Sequence, residues 1–108
     1  MTKSICVFCG ARKGNDPAFG QAAIDFGQIL AKNEWRLVYG AGDVGLMGAV
    51  AKGAQASGAA TFGVIPEHLM QREGGKRDLD QFIITDDMHS RKKLMFINSD
   101  AVVLLPGG

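Results

Sequence analysis

Short blocks of unbroken apolar residues alternate along the chain with longer segments in which apolar residues recur every three or four positions. The blocks are Ser4–Cys9 (SICVFC), Arg36–Tyr39 (RLVY), Ala60–Ile65 (ATFGVI), Phe82–Thr85 (FIIT) and Ala101–Leu105 (AVVLL). Without polar alternation they read as strands of a parallel sheet, covered on both faces. After a loop at Gly10–Asn15, Asp16 and Pro17 supply an N-cap and a first helical residue. Phe19, Ala22, Ala23, Phe26, Ile29 and Leu30 then follow helical spacing as far as Asn33. A second helix spans about Leu46–Ser57 and closes at Gly58, and a third runs from Asp86 or Asp87 through Asn98. The charge-rich stretch Glu67–Asp80, with Gly74 and Gly75 inside it and Pro66 before it, reads as a mobile active-site loop or a partly helical excursion. Strands alternating with helices predict an α/β fold: a Rossmann-like, doubly wound parallel sheet of about five strands, in one domain over residues 1–108. Such sheets bind ligands beyond the carboxyl ends of their strands.

The second strand runs straight into glycines, as RLVYGAGDVGLMG at 36–48. Glycines permit a sharp turn there, and their missing Cβ atoms let a ligand approach the N–H groups at the positive end of the next helix. Phosphate is the expected guest near Gly42 and Gly45, and a tight βα turn holding no ligand is the plain alternative. Gly40, Gly42 and Gly45 also fit G-x-G-x-x-G, with Glu67 about 20 residues on as a ribose-binding acid, which suits a non-catalytic nucleotide-binding module. That fingerprint normally follows the first strand, not the second.

Composition narrows the classes. A formal net charge of +1 shows no basic excess for nucleic acid or an anionic membrane, and the Arg72, Lys76, Arg77 cluster reads as a solvated loop. No apolar stretch approaches the roughly 20 residues of a membrane span, and Met1–Ser4 leads straight into a strand, so a cytoplasmic location is expected. Cys6 and Cys9 spell Cys-x-x-Cys, but three positions along a strand put the two thiols on opposite faces, so buried reduced thiols are expected, with no disulfide or metal. Neither His68 nor His89 stands at a ligand spacing from them. Pro106-Gly107-Gly108 is a second strand-to-glycine turn, and no helix follows it in these 108 residues. One face of the last strand then lacks a cover, which suggests a fragment of a longer fold or a chain covered by a partner.

Five stretches in order carry a family resemblance: FCGARKGNDPAF at 8–19, VYGAGDVGLMGAVA at 38–51, GVIPEHL at 63–69, MHSRKKLMF at 88–96 and the terminal PGG. Together they resemble the LOG (LONELY GUY) family of cytokinin riboside 5′-monophosphate phosphoribohydrolases, some of whose members carry an older lysine decarboxylase label. The resemblance implies a Rossmann-like fold, a homodimer or larger homo-oligomer, no cofactor, and hydrolysis of adenine-type nucleoside 5′-monophosphates such as AMP to free base and ribose 5-phosphate. It implies that Arg91 of the MHxRK motif is catalytic, with Met88 and Lys92 beside it, and that Glu73 is a substrate-binding acid. Gly107 and Gly108 would open a phosphate loop, PGGxGTxxE, whose GT pair and catalytic glutamate lie beyond residue 108, so the 108-residue chain is expected to be impaired. Two departures stand out: Ala11 replaces a common serine, and Ala41 replaces the middle glycine of a GGG run.

The residues themselves fit that chemistry in part. Breaking a base–ribose bond builds positive charge on the sugar, which a nearby carboxylate stabilises, while the planar fork of Arg91 suits phosphate or a carboxylate. Helical register alone would equally make Arg91 and Lys92 solvated surface charges. His89 has no adjacent partner for proton transfer, and Met88, Met95 and Phe96 read as helix core. Nothing around Lys52, Lys92 or Lys93 offers the pocket that a pyridoxal phosphate Schiff base needs.

Overall fold

A computed structural model describes residues 2–9 and 17–105, apart from the side chain of Glu73. Five strands alternate with helices, as the periodicity predicts. They are β1 (Ser4–Phe8), α1 (Pro17–Lys32), β2 (Arg36–Tyr39), α2 (Gly45–Ala56), β3 (Thr61–Pro66), α3 (Met70–Glu73), β4 (Gln81–Thr85), α4 (Met88–Ile97) and β5 (Ala101–Leu104), with a 3-10 turn at Glu67–Leu69. The sheet is parallel throughout, in the order β4-β3-β2-β1-β5. Successive strands step one way from β1 to β4, and β5 then joins on the other side of β1. The order therefore reverses between β1 and β5, the place where an open α/β sheet forms its crevice.

Alternate residues of each strand feed two cores. Ile5, Val7, Leu37, Tyr39 and Ile65 pack on α1 and α2, while Cys6, Val38, Phe62 and Val64 pack on Met95 of α4. The two cysteines accordingly lie on opposite faces and are not joined. Burial pushes the Cys6 thiol pKa up, against a lowering hydrogen bond from Ser99. On α1 the buried stripe is Ala23, Gly27 and Leu30, with Phe19 and Phe26 half-buried. Ile29, expected on that stripe, is 48% exposed. Gly27 and Gly53 sit where the helices cross: a Cβ on Gly27 would meet the backbone of Val50 and Ala54, and one on Gly53 the backbone of Ile24. The two helix backbones are in direct contact there, closer than any side chain allows.

At the amino ends of the strands, Arg36 gathers several elements. Its Nε donates to Ser4 Oγ at 2.9 Å, its Nη1 to Gln81 Oε1 at 3.1 Å and its Nη2 to the Asn98 carbonyl at 3.1 Å. Its guanidinium also lies 5.0 Å from the Phe62 ring centroid. Asp80 closes the other side, accepting from Thr61 N at 2.8 Å. These bonds leave the carboxyl ends of the strands as the open side of the sheet.

For two segments the structure selects between the readings offered, and for one residue it corrects the expectation. β5 lacks a cover, as expected where no helix follows it in these residues: it forms an edge, and Leu104 is 76% exposed and Val102 46%. The 67–80 excursion is the partly helical one of the two forms expected, with the 3-10 turn and α3 in its first half, and its second half is hydrogen-bonded to the glycine turn after β2. Phe96 is not core: it is 51% exposed, and its ring meets that of Phe8 at a tilt, with 5.6 Å between centroids. Among the described residues no helix is long and apolar enough to cross a membrane.

Candidate active site at the strand carboxyl ends

Helix α4 begins at Met88 because Asp87 caps it: Ser90 N–H donates to Asp87 Oδ1 at 2.7 Å. The same hydrogen bond holds the Asp87 carboxyl below its usual range. One turn into this helix, Arg91 points at the sheet and is 7% exposed, while Lys92 and Lys93 face water. Its Nε donates to the Val64 carbonyl at 2.9 Å, its Nη2 donates to the Gly40 carbonyl, and its Nη1 lies 3.6 Å from Met88 Sδ. A buried cation has to be hydrogen-bonded or paired to be tolerated, and the backbone of two strands supplies those acceptors. The solvated reading of Arg91 is thereby overturned, and that of Lys92 stands.

Gly40 is the other half of this arrangement. A Cβ there would fall inside the guanidinium of Arg91, with Cζ only 2.8 Å away. The first glycine after β2 therefore seats the arginine, a role that nothing in the local sequence announces. Around the pair lies a cavity of about 190 Å³. Val7, Phe8 and Cys9 bound it at the end of β1, Met47 on α2, and Met88, Lys92 and Met95 on α4. Its position beside the reversal of strand order suits a ligand, and its volume suits one ring or one phosphate, not a whole nucleotide.

The rest of the glycine turn is shaped differently. Ala41 is left-handed, with φ 59°, and Gly45 opens α2 with φ 56°. Alanine in that region costs roughly 1–2 kcal/mol, so its neighbours must hold it. Lys76 N–H donates to the Ala41 carbonyl at 2.9 Å, and Gly42 pairs with Gly75 in an isolated antiparallel bridge. Val44, the N-cap of α2, contributes no side-chain bond to the first turn. Gly45, Gly48, Lys52, Lys76 and Asp43 border a separate groove of about 650 Å³ between α1 and α2. Below the turn the Tyr39 hydroxyl is buried with no hydrogen-bond partner among the described residues, and burial, then Asp43 and Asp78, push its pKa up.

Of the residues singled out in the sequence, the structure brings Met88, Arg91 and Lys92 together around one cavity. It sets Gly45 on the neighbouring groove and ties Gly42 to Gly75. The side chain of Glu73, at the end of α3, and residues Gly107 and Gly108 lie outside what the structure describes. Gly40, Cys9, Met47 and Met95 join the site without having been assigned to it. Among the described residues no three His, Cys, Asp or Glu side chains come together as a metal site.

Known proteins are similar to the chain in sequence and in fold. A cytokinin riboside 5′-monophosphate phosphoribohydrolase of Rhodococcoides fascians is 44% identical over 107 residues, covering 98% of this chain and 54% of the relative. One from Arabidopsis thaliana is 43% identical over 106 residues, covering 98% of this chain and 49% of the relative. The chain thus spans about half the length of the curated relatives it matches. Among solved structures, the Moco carrier protein of Chlamydomonas reinhardtii superposes with a TM-score of 0.82 at 23% identity, over 100% of this chain and 64% of that one, a likeness of fold. The model of the SLOG cluster4 family matches residues 2–108, so the chain belongs to that family.

Proposed function

We propose that the whole protein hydrolyses the N-glycosidic bond of adenine-type nucleoside 5′-monophosphates, giving free base and ribose 5-phosphate. The observation that carries this reading is the buried guanidinium of Arg91, fixed between the Gly40 and Val64 carbonyls beside a cavity lined mostly by apolar side chains together with Lys92. The names of relatives at 43–44% identity support it. In the reaction the bond from C1′ to the base nitrogen breaks, a water oxygen bonds to C1′, and of the water's two protons one goes to the departing base and the other stays on the new C1′ hydroxyl. Positive charge gathers on the sugar ring in between, which calls for a carboxylate beside the anomeric carbon. The family resemblance puts that carboxylate in a GTxxE stretch following Gly108 and puts Glu73 on the substrate. The 5′-phosphate would rest on the Gly107–Gly108 turn near Gly42 to Gly45, with Lys92 adding a point charge. Met47, Met88 and Met95 offer polarisable surface for the base.

Release of adenine from AMP is the test. The 108-residue polypeptide should bind AMP yet turn it over far more slowly than one continued through a GTxxE stretch, because the missing partner acts chiefly in the transition state. Equal rates would place the acid within residues 1–108 and make Glu73 the first residue to replace. Tight NAD binding without AMP binding, in a calorimetric titration, would favour a non-catalytic nucleotide module instead. The turn after β2 speaks against that module, since it is clasped by residues 75 and 76 and lies one strand away from the β1–β5 reversal.

A homodimer or larger homo-oligomer and a cytoplasmic location belong to the same proposal. Phe96, Ile97, Val102 and Leu104 are all at least 46% exposed, a concentration of apolar surface at the β5 edge that is unusual on a monomer. Sedimentation at micromolar concentration should show a species of at least twice 11.5 kDa. A lone 11.5 kDa boundary would count against association through this edge.

A further inference from the structure

The glycine turn after β2 is shaped from outside itself. A left-handed alanine persists only where its surroundings over-determine it. The groups that do so here come from one short strap, residues 74–80. Lys76 N–H donates to the Ala41 carbonyl at 2.9 Å, Gly75 pairs with Gly42, and Leu79 is buried against the same turn. Gly63 leaves the space for this packing, since a Cβ on it would lie 2.6 Å from the Ala41 Cβ. The Lys76 side chain then locks the strap in place. Only 15% exposed, its ammonium stands 3.8 Å from Asp43 Oδ1 on the turn and 3.3 Å from Asp78 Oδ1 on the strap. Gln55 of α2 donates to the Asp78 carbonyl at 3.1 Å and so ties the strap to the helix that the turn opens.

Ala41 directly follows Gly40, whose carbonyl accepts from Arg91 and whose missing Cβ is the seat of the guanidinium. A change in the Ala41 backbone therefore moves the arginine's acceptor. We propose that Lys76 is a positioning residue for Arg91: by pinning the 74–80 strap across Ala41–Asp43, it fixes the Gly40 carbonyl against which the guanidinium is aligned. The inference rests on the reading of Arg91 as the working cation of the site. Lys76 does not line the cavity around Arg91 but stands on the neighbouring groove with Gly45, so AMP affinity reads the groove as well as the turn, and it is the Arg91 Nε–H that reports the turn alone.

Lys76→Gln removes the charge while keeping most of the stem, and Lys76→Arg keeps the charge and a comparable reach. In Lys76→Gln the backbone amide of residue 76 and the Arg91 Nε–H should both exchange about three- to fivefold faster, the range expected for losing partly exposed ion pairs. Amides within β1 and β2 should be unaffected. AMP affinity should fall by a similar factor, and Lys76→Arg should restore all three readings. Faster exchange at residue 76 with an unchanged Arg91 Nε–H would overturn the proposal, because the strap would then serve only its own stability. Unchanged exchange at both places would overturn it too. Failure of the unmodified protein to bind AMP would strike at the functional reading instead, and the two exchange measurements would still decide the role of Lys76.

Discussion

Arg91→Ala in the whole protein should lower turnover of AMP at least tenfold, since removing one charged transition-state partner typically costs roughly 2–4 kcal/mol. The loss should exceed that in substrate affinity, as expected for a group that meets charge developing during reaction. The substitution also strips donors from the Val64 and Gly40 carbonyls, which by itself costs about 1–3 kcal/mol of stability for a buried acceptor left unmade. Gly40→Ala separates the two effects. It keeps the charge but puts a methyl group where the guanidinium lies, so turnover should fall by a comparable factor in a protein that still carries the arginine. Arg91→Lys should not restore activity, because a single ammonium cannot serve two divergent carbonyls as a planar fork does. Unchanged AMP hydrolysis by Arg91→Ala would remove this residue from the mechanism.

Gly53→Ala should destabilise the fold by about 1–3 kcal/mol, and Gly27→Ala likewise, although alanine ordinarily favours a helix over glycine by about 1 kcal/mol. The reason is the α1–α2 crossing, where either methyl would press on the opposite backbone, which cannot turn aside as a side chain can. For a domain of this size each kcal/mol lowers the melting midpoint by roughly 4–8 °C. The two substitutions meet at one crossing, so their effects should not add. Gly20→Ala is the control: it lies in the same α1, an added methyl would have nothing within 4 Å, and the midpoint should rise slightly. A rise in the midpoint for all three variants would mean that the helices separate at little cost.

Strand blocks, helix spacing and the Asp87 cap were legible because each depends on residues close in sequence. Boundaries moved by only a residue or so, with β3 at Thr61–Pro66 in place of Ala60–Ile65. What escaped was every feature that joins distant parts. Arg91 sits in a run of three cations, and its burial depends on carbonyls 27 and 51 positions earlier in the chain. Gly27 and Gly53 look like weak points of their helices until the crossing is seen. The clasp on the glycine turn is a single bridge with no periodicity to betray it. The family resemblance supplied Arg91 as a candidate, but neither its seat on Gly40 nor the strap behind that seat.

The position of β5 bears on how the protein reaches its working form. Ser4 and Asp100, 96 positions apart, bond to each other where β1 and β5 begin. In a parallel sheet such closures cost the most chain entropy and bring their contacts late. The first four strands can pair with one another while β5 is still being synthesised, and every residue that lines the cavity around Arg91 precedes β5 in the chain. Docking of β5 therefore adds the last strand beside a site whose lining is synthesised before it.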